Sequence, residues 1–361
     1  MGQLRTTIYC AALTLATASA GSGHAFAQAP ARTVFESRWK VTLPENPAAP
    51  AAFDDAHAYV ALRSGKLVAI ALENGMSVWT SDVRTIWSPA AGDGRVFVAS
   101  GSQLIALDAA TGREQWRTPL DNPLTVAPVF DTGWLFAGTT SGLLFALRAT
   151  DGTVLWKMDL GAPLSAPPVP SELHVYLPIV DGRIVAAELS HGKAVWTRTL
   201  PARPAPMLAF NDRLFVGTED NFLYCLSRSD GDEKWKWRTG GDIVSAPIVD
   251  GERVFFLSMD HMLRALDRNG GSLRWQRPVP NRTIGGPLRI GEFVAVASLS
   301  PQLHAFSGAD GKPVGSTPAP EGEALFSALI AEPRLVSYDG HHGIAVLTRQ
   351  GLLEVFTLKM Q

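Results

Sequence analysis

Cysteine is almost missing. The 361 residues include two, Cys10 and Cys225. Cys10 falls in a leader-like segment, so the remainder cannot form an internal disulfide and must be held by packing. Charge is also sparse. Asp, Glu, Lys and Arg make up 18% of the chain, with 32 bases against 34 acids, a formal charge of -2 and no run of one sign. A nucleic-acid backbone or an anionic membrane finds no electrostatic footprint here, which argues against nucleic acid as a partner. No membrane span is expected, because the apolar stretch from Ile8 to Ala20 falls short of the roughly 20 residues a spanning helix needs. The G-x-S-x-G, H-E-x-x-H and phosphate-loop patterns of common catalytic sites do not occur. Stacked helical repeats are disfavoured by 33 Gly and 25 Pro.

Residues 1–27 have Arg5 as their single charged group, then the apolar stretch, then Ala25-Phe26-Ala27. This is the layout of a signal peptide with a small-x-small cleavage site. The competing reading, a membrane anchor, is disfavoured by length. Cleavage after Ala27 is expected, leaving residues 28–361 as one exported domain, periplasmic or secreted. Cys10 follows Ile8-Tyr9 too near the start to accept a lipid, so a soluble monomer is expected.

What the chain does contain is a repeat. Trp39, Trp79, Trp116, Trp156, Trp196, Trp235 and Trp275 recur at intervals of 37 to 40 residues, a period found in solenoids and propellers. Six aligned segments end on tryptophan, from VAIALENGMSVW to LRALDRNGGSLRW, and a seventh, LHAFSGADGKPVG, has Gly315 in that place. Four residues before each anchor stands glycine: Gly75, Gly112, Gly152, Gly192, Gly231, Gly271 and Gly311. That position suits a hairpin residue with positive φ. Ten residues before stands a small side chain: Ala69, Ala106, Ala146, Ala186, Cys225, Ala265 or Ala305. A strand-turn-strand spacing sets it opposite the tryptophan, where it makes room for an indole. Cys225 is therefore read as a small buried hydrophobe and not as a nucleophile or metal ligand. The tryptophans are read as docking anchors between structural units, in preference to a sugar-stacking role.

Upstream of each hairpin lies a stretch such as RVFVAS, HVYLPI or RLFVGT, preceded by a proline: Pro50, Pro89, Pro128, Pro168, Pro206, Pro247 and Pro287. Each unit then has four short strands, and the proline marks the inner edge strand along a central channel. At the C-terminus LLEVFTL (352–358) sets Val355 in the small-residue column, but the chain ends before its tryptophan is due. Near the other end FESRWKVTL (35–43) carries Trp39 without a preceding partner strand. The two ends are predicted to complete each other, with Trp39's strand joining residues 324–358. The fold expected is all-β, an eight-bladed β-propeller of four-stranded antiparallel blades whose last blade is closed by the N-terminal strand.

The unit L-x-A-L-D-x-x-T-G-x-x-x-W, clearest in Leu104 to Trp116, resembles the repeat of pyrroloquinoline-quinone (PQQ) enzyme-like propellers, over essentially all of residues 35–358. One branch of that family, the quinoprotein dehydrogenases, implies PQQ and calcium over the channel. It also implies a carboxylate base, a Glu/Asn/Asp calcium set, an Arg near the quinone, and adjacent cysteines. The other branch comprises cofactor-free periplasmic scaffolds of the BamB type, to which this chain is similar in length, blade number and export. The positions before the prolines are small and neutral, as in Val126-Ala127, Ser165-Ala166 and Gly285-Gly286, and no Cys-Cys pair exists. The resemblance thus implies a protein-binding and assembly scaffold without cofactor. Its partner would be a periplasmic protein, the outer-membrane insertase, met by surface recognition or strand addition. The alternative is a minimal PQQ-dependent dehydrogenase oxidising alcohols or sugars. BamB-type proteins usually carry a lipid anchor, and this leader departs from them in lacking one.

Charge reaches the predicted channel mouth from the turns entering the inner strands, at Arg84, Arg203, Asp242, Arg282 and Glu323. Such a ring is a candidate for an anionic ligand or an acidic partner segment, a solvated rim being the plainer reading. His341-His342, within Asp339-Gly340-His341-His342-Gly343, is the most metal-like spot, but it lacks a third ligand and reads as a polar turn. His57, His174, His191, His261 and His304 are scattered without triad spacing.

Overall fold

Every sheet has an apolar surface on both sides, and that dictates the architecture. The computed structural model describes residues 35–280, 282–299, 302–317, 329–331, 333–338 and 341–358. Within them lie eight four-stranded antiparallel sheets arranged as the blades of a propeller, with no helix among the described residues. Blade 1 runs from an inner strand at Ala52–Phe53 through His57–Ala61 and Leu67–Ala71 to an outer strand at Ser77–Ser81. Blades 2 to 7 repeat that order along the chain. Blade 8 takes its inner three strands from Arg334–Tyr338, His341–Leu347 and Leu352–Leu358. Its outer strand is Phe35–Thr42 from the opposite end of the chain, with Trp39 paired to Val355. The predicted eight-bladed ring and its N-terminal closure are therefore observed.

The second and third strands are buried along nearly their whole length, as in Arg95–Ser100 and Gln103–Asp108 of blade 2. Their side chains still alternate, but between two neighbouring blades and not between core and solvent. The core is accordingly divided into one apolar cluster per seam. Phe97, Ala99 and Leu104 of blade 2 meet Leu135, Ala137 and Leu147 of blade 3, and Leu353 and Val355 of blade 8 meet Val60 and Val68 of blade 1. The prolines stand immediately before the inner strands Ala90–Gly92, Val129–Asp131, Val169–Ser171, Ile248–Val249 and Leu288–Ile290. Pro206 instead lies inside the inner strand of blade 5, Pro204–Phe210, where the register shifts between Pro204 and Met207. A bulge accommodates the missing donor.

The tryptophans hold the seams. Each indole Nε1–H donates to a backbone carbonyl of the following blade, from Trp39 to Leu72 through Trp275 to Gly308, at 2.8 to 3.1 Å. Each six-membered indole ring also lies over the next blade's hairpin glycine. A Cβ placed on Gly112 would sit 2.5 Å from the Trp79 ring. Within its own blade each tryptophan from Trp79 to Trp275 faces the small residue ten positions earlier, as Trp116 faces Ala106, while Trp39 faces Val355. Those from Trp79 to Trp275 also lie against an aromatic on the second strand: Tyr59, Phe97, Phe136, Tyr176, Phe215 or Phe255, at ring separations of 5.7 to 6.1 Å. The hairpin itself is set locally. The Asp108 carboxylate accepts from the Thr111 amide and hydroxyl at 2.9 and 2.7 Å, and Gly112 follows at φ +70°.

The seam between blades 7 and 8 is built the other way round. Blade 7 lacks both large rings, having Ala295 and Gly315 in their places, the latter opposite Ala305. Blade 8 in turn has Phe35 where the other blades have the hairpin glycine, four residues before Trp39. Phe35 is 1% exposed, clustered with Ala295, Ala305, Ile344 and Phe356. The bulky ring is contributed by the receiving blade, and the recess by the donating one.

Two outcomes follow for stability. Gly112→Ala and Gly94→Ala impose the same positive φ of +70°, but nothing lies within 4 Å of a Cβ at Gly94. Chemical denaturation should show Gly112→Ala costing about 1–3 kcal/mol more than Gly94→Ala, the overpacking against the indole. At the reversed seam, Phe35→Gly and Gly315→Trp should each destabilise, the first by roughly 3–5 kcal/mol for a lost buried ring. The Phe35→Gly, Gly315→Trp double variant should recover part of that loss, and strict additivity of the two would refute the exchange.

Candidate functional site: the channel and its mouth

Strand direction sorts the loops onto two faces. Connections from each outer strand to the next inner strand, together with the turns between second and third strands, share one end of the ring, the mouth face. The remaining turns share the other. Inner strands line the channel, where a cavity of 480 Å³ is bounded by Ala51, Ala90, Val129 and Phe130 among others, with Arg334 as its charged lining residue. Alanine and proline dominate this wall because the inner strands converge on the axis, where bulky chains collide.

Arg84, Asp242 and Arg282 stand five residues before the channel proline of their blades, and Arg203 three before Pro206. Arg84, Arg203 and Arg282 are exposed and Asp242 is half-buried. In blades 5, 6 and 7 the backbone carbonyl at this place ties the connection to the neighbouring turn. It accepts from Glu219 at 3.3 Å, Met259 at 2.8 Å and Leu299 at 2.8 Å respectively. Arg203 reaches the Ser165 carbonyl at 3.4 Å and stands 3.9 Å from Glu219, and Arg84 packs its Cβ and Cγ beside Gly65. Glu323 lies outside the described residues, as do residues 1–34, which include the expected leader at 1–27, and Asp339-Gly340. His341 and His342 begin a strand of blade 8.

Several features of this face escaped the motif reading. Arg334 follows Pro333 as Ala90 follows Pro89, so an eighth proline was the available signal for it. Ile86 and Val244, on the same connections as Arg84 and Asp242, are 71% and 49% exposed, and Val180 and Leu299 on neighbouring turns are 37% and 50% exposed. The mouth thus sets apolar side chains between arginines.

Its acidic turn residues are already engaged. Asp260 accepts from Arg264 at 2.6 Å, from Ser258 at 2.5 Å and from the Gly240 amide at 3.0 Å. Burial alone would raise its pKa, but Arg264, Ser258 and Gly240 outweigh it and hold the carboxyl down at about 2. Asp220 similarly accepts from Thr218 and, at 3.1 Å, from Tyr224. Among the described residues no three His, Cys, Asp or Glu side chains are grouped to hold a metal ion. Burial pushes the Cys225 thiol up to about 12, which leaves it an inert filler opposite Trp235.

A family model described as outer membrane protein assembly factor BamB matches residues 36–126, 100–210 and 181–323. Among solved structures the chain is similar to BamB from Moraxella catarrhalis, with 19% identity over 90% of this chain and 100% of that one and a TM-score of 0.73. It is similar to the quinohemoprotein alcohol dehydrogenase ADHIIG from Pseudomonas putida HK5, with 14% identity over 91% and 77% and a TM-score of 0.74. Sqt1 of Saccharomyces cerevisiae shares 11% over 90% and 99%, with a TM-score of 0.76. These likenesses concern the fold. No curated protein matches the chain.

One titratable group is half-buried in a seam. His304 pairs with Val296 and Ser316, shares a strand face with Phe306 between blades 6 and 7, and has Nε2 buried without a partner. Burial lowers its pKa from the ordinary 6.5. The unfolded chain then takes up the proton first, so this contribution to stability is complete above pH 6.5 and is lost as the pH falls below it. Denaturation midpoints of His304→Gln should depend less on pH than the wild type between about pH 7 and 5.

Proposed function

Because the chain belongs to the family of outer membrane protein assembly factor BamB, we propose that it is a non-catalytic periplasmic scaffold that binds the periplasmic domains of an outer-membrane insertase through its mouth face. The observation that carries this reading is the set of exposed apolar residues Ile86, Val180, Val244 and Leu299 beside Arg84, Arg203 and Arg282. Apolar and arginine side chains on one rigid face are the composition of protein-binding surfaces. A closed ring of packed seams supplies that rigidity, so binding need not order the scaffold. Among the described residues no helix is long and apolar enough to cross a membrane. Export by the leader ending at Ala27 is part of the same proposal.

The quinone and calcium of the dehydrogenase branch fit poorly. Among the described residues the lining of the 480 Å³ cavity includes Arg334 but no carboxylate, and calcium requires several hard oxygen donors with carboxylates among them. Among the described lining residues a catalytic base has no candidate either. We therefore assign no redox step to this channel.

Purified protein should co-elute with the soluble periplasmic domains of an outer-membrane insertase. Ile86→Glu and Val244→Glu, both at exposed sites, should lower affinity by about tenfold or more while leaving the thermal midpoint within a few degrees. Unaltered binding by both variants would remove the mouth face from the proposal. Dye-linked oxidation of alcohols or sugars after addition of PQQ and calcium is the competing result, and turnover there would reverse it.

A further inference from the structure

Three consecutive seams each hold a half-buried arginine on the face opposite the mouth, and two of the three satisfy it. Between blades 4 and 5, Arg228 lies over the Tyr176 ring at 5.5 Å. Its Nε donates to the Tyr176 hydroxyl at 2.9 Å, and its Nη groups donate to the Asn211 carbonyl and the Ser171 hydroxyl. Between blades 6 and 7, Arg253 lies 5.8 Å from the centre of the Phe255 ring. There it donates to the Asp250 carboxylate at 2.8 and 2.7 Å.

The seam between blades 5 and 6 differs. Arg268 holds the position of Arg228 one blade on, but both of the acceptors that blade 4 supplies have been replaced. Phe210 stands in the place of Ser171, and Phe215 in that of Tyr176. The Arg268 guanidinium lies over Phe210 at 5.3 Å, with Nε and Nη1 buried and unpartnered. A second arginine shares the seam. Arg213 pairs with Phe210 across the hairpin, so the two side chains leave the same face of the sheet, the face packed on blade 6. Its Nε is also buried without a partner. Both arginines act electrostatically on the buried Cys225 thiol.

Two guanidinia on one seam repel, and each buried N–H left unmade costs about 1–3 kcal/mol. Such groups in a native protein call for an ion or water that completes them. The nearby acids do not suffice. Asp212, 3.3 Å from Arg213 Nη1, is 71% exposed, and Asp267 is committed to Arg274 and to the Asn269 and Gly270 amides.

We propose that the seam between blades 5 and 6 is an oxyanion site, in which a carboxylate or phosphate group is held between Arg213 and Arg268. Arg213 is 20% exposed and Arg268 half-buried, so an anion meets them from solvent. Rotation about the outer side-chain torsions then brings the buried N–H groups onto its oxygens. The planar five-donor fork of arginine suits bidentate capture of either group. The site rests on these residues alone and stands whichever partner the mouth face takes.

Arginine 15Nε–1H spectra of the whole protein test it. Inorganic phosphate and sodium glutamate are titrated separately against chloride at constant ionic strength. The Arg213 and Arg268 signals should shift saturably, and Arg268→Gln should weaken binding by about tenfold or more. Arg148→Gln, at an exposed pair with Asp151, should leave the affinity unchanged. A response to both anions supports a general oxyanion site, and a response to one supports that source. Absence of a saturable shift with either, or equal affinity in Arg268→Gln, overturns the proposal.

Discussion

An indole laid across the neighbouring blade's hairpin glycine is the contact on which the rest of this molecule depends. The magnitudes divide its labour. A single Nε1–H to carbonyl bond contributes about 1 kcal/mol net. A tryptophan that buries on the order of 200 Å² contributes several times that at about 25 cal/mol per Å². Burial therefore supplies most of the stabilisation, while the bond fixes how the ring lies. Because each indole addresses the next blade and not its own, the contact orders the blades as well as joining them. Gly112 satisfies two demands at once, a backbone at φ +70° and a surface flat enough to receive Trp79.

With stability placed in the seams, the two faces are free to differ from blade to blade. On the mouth face the same backbone tie, from a turn amide to the carbonyl of the connection, is kept in blades 5, 6 and 7. The side chain at that carbonyl meanwhile varies among Arg203, Asp242 and Arg282. On the opposite face the seam arginines vary in their acceptors while the indole hydrogen bond beside them persists, since Arg228 and Arg268 themselves provide its carbonyl. A scaffold organised in this way changes what it recognises by single substitutions without repacking.

The blade count, the strand order and the closure were legible because they are periodic: Trp, Gly, small residue and Pro recur in register. The aromatic column from Tyr59 to Phe255 was present in the same stretches but hidden among other apolar residues. The role of the glycines was half legible. Positive φ is a local property that HGK or TGR signals, whereas the indole above Gly192 or Gly112 comes from the preceding blade. Phe35 shows the limit clearly, since it reads as an ordinary strand residue until Gly315 and Ala295 are seen across the seam. At the mouth, Arg84, Asp242 and Arg282 could be placed from their distance to the prolines. The exposure of Ile86 and Val244, and the capture of Asp260 by Arg264, depend on neighbours from other turns that no spacing along the chain reveals.

The composite eighth blade also has a bearing on biogenesis. The segment Phe35–Thr42 leaves the ribosome before the other strands of the ring and finds its hydrogen-bonding neighbour, Leu352–Leu358, last. The entropic charge for so distant a meeting is modest, since each doubling of loop length adds only about 0.6 kcal/mol. Timing is the heavier cost. Until synthesis ends, blade 1 has no neighbour on one side, and the growing arc presents raw apolar flanks to any holdase or aggregating neighbour.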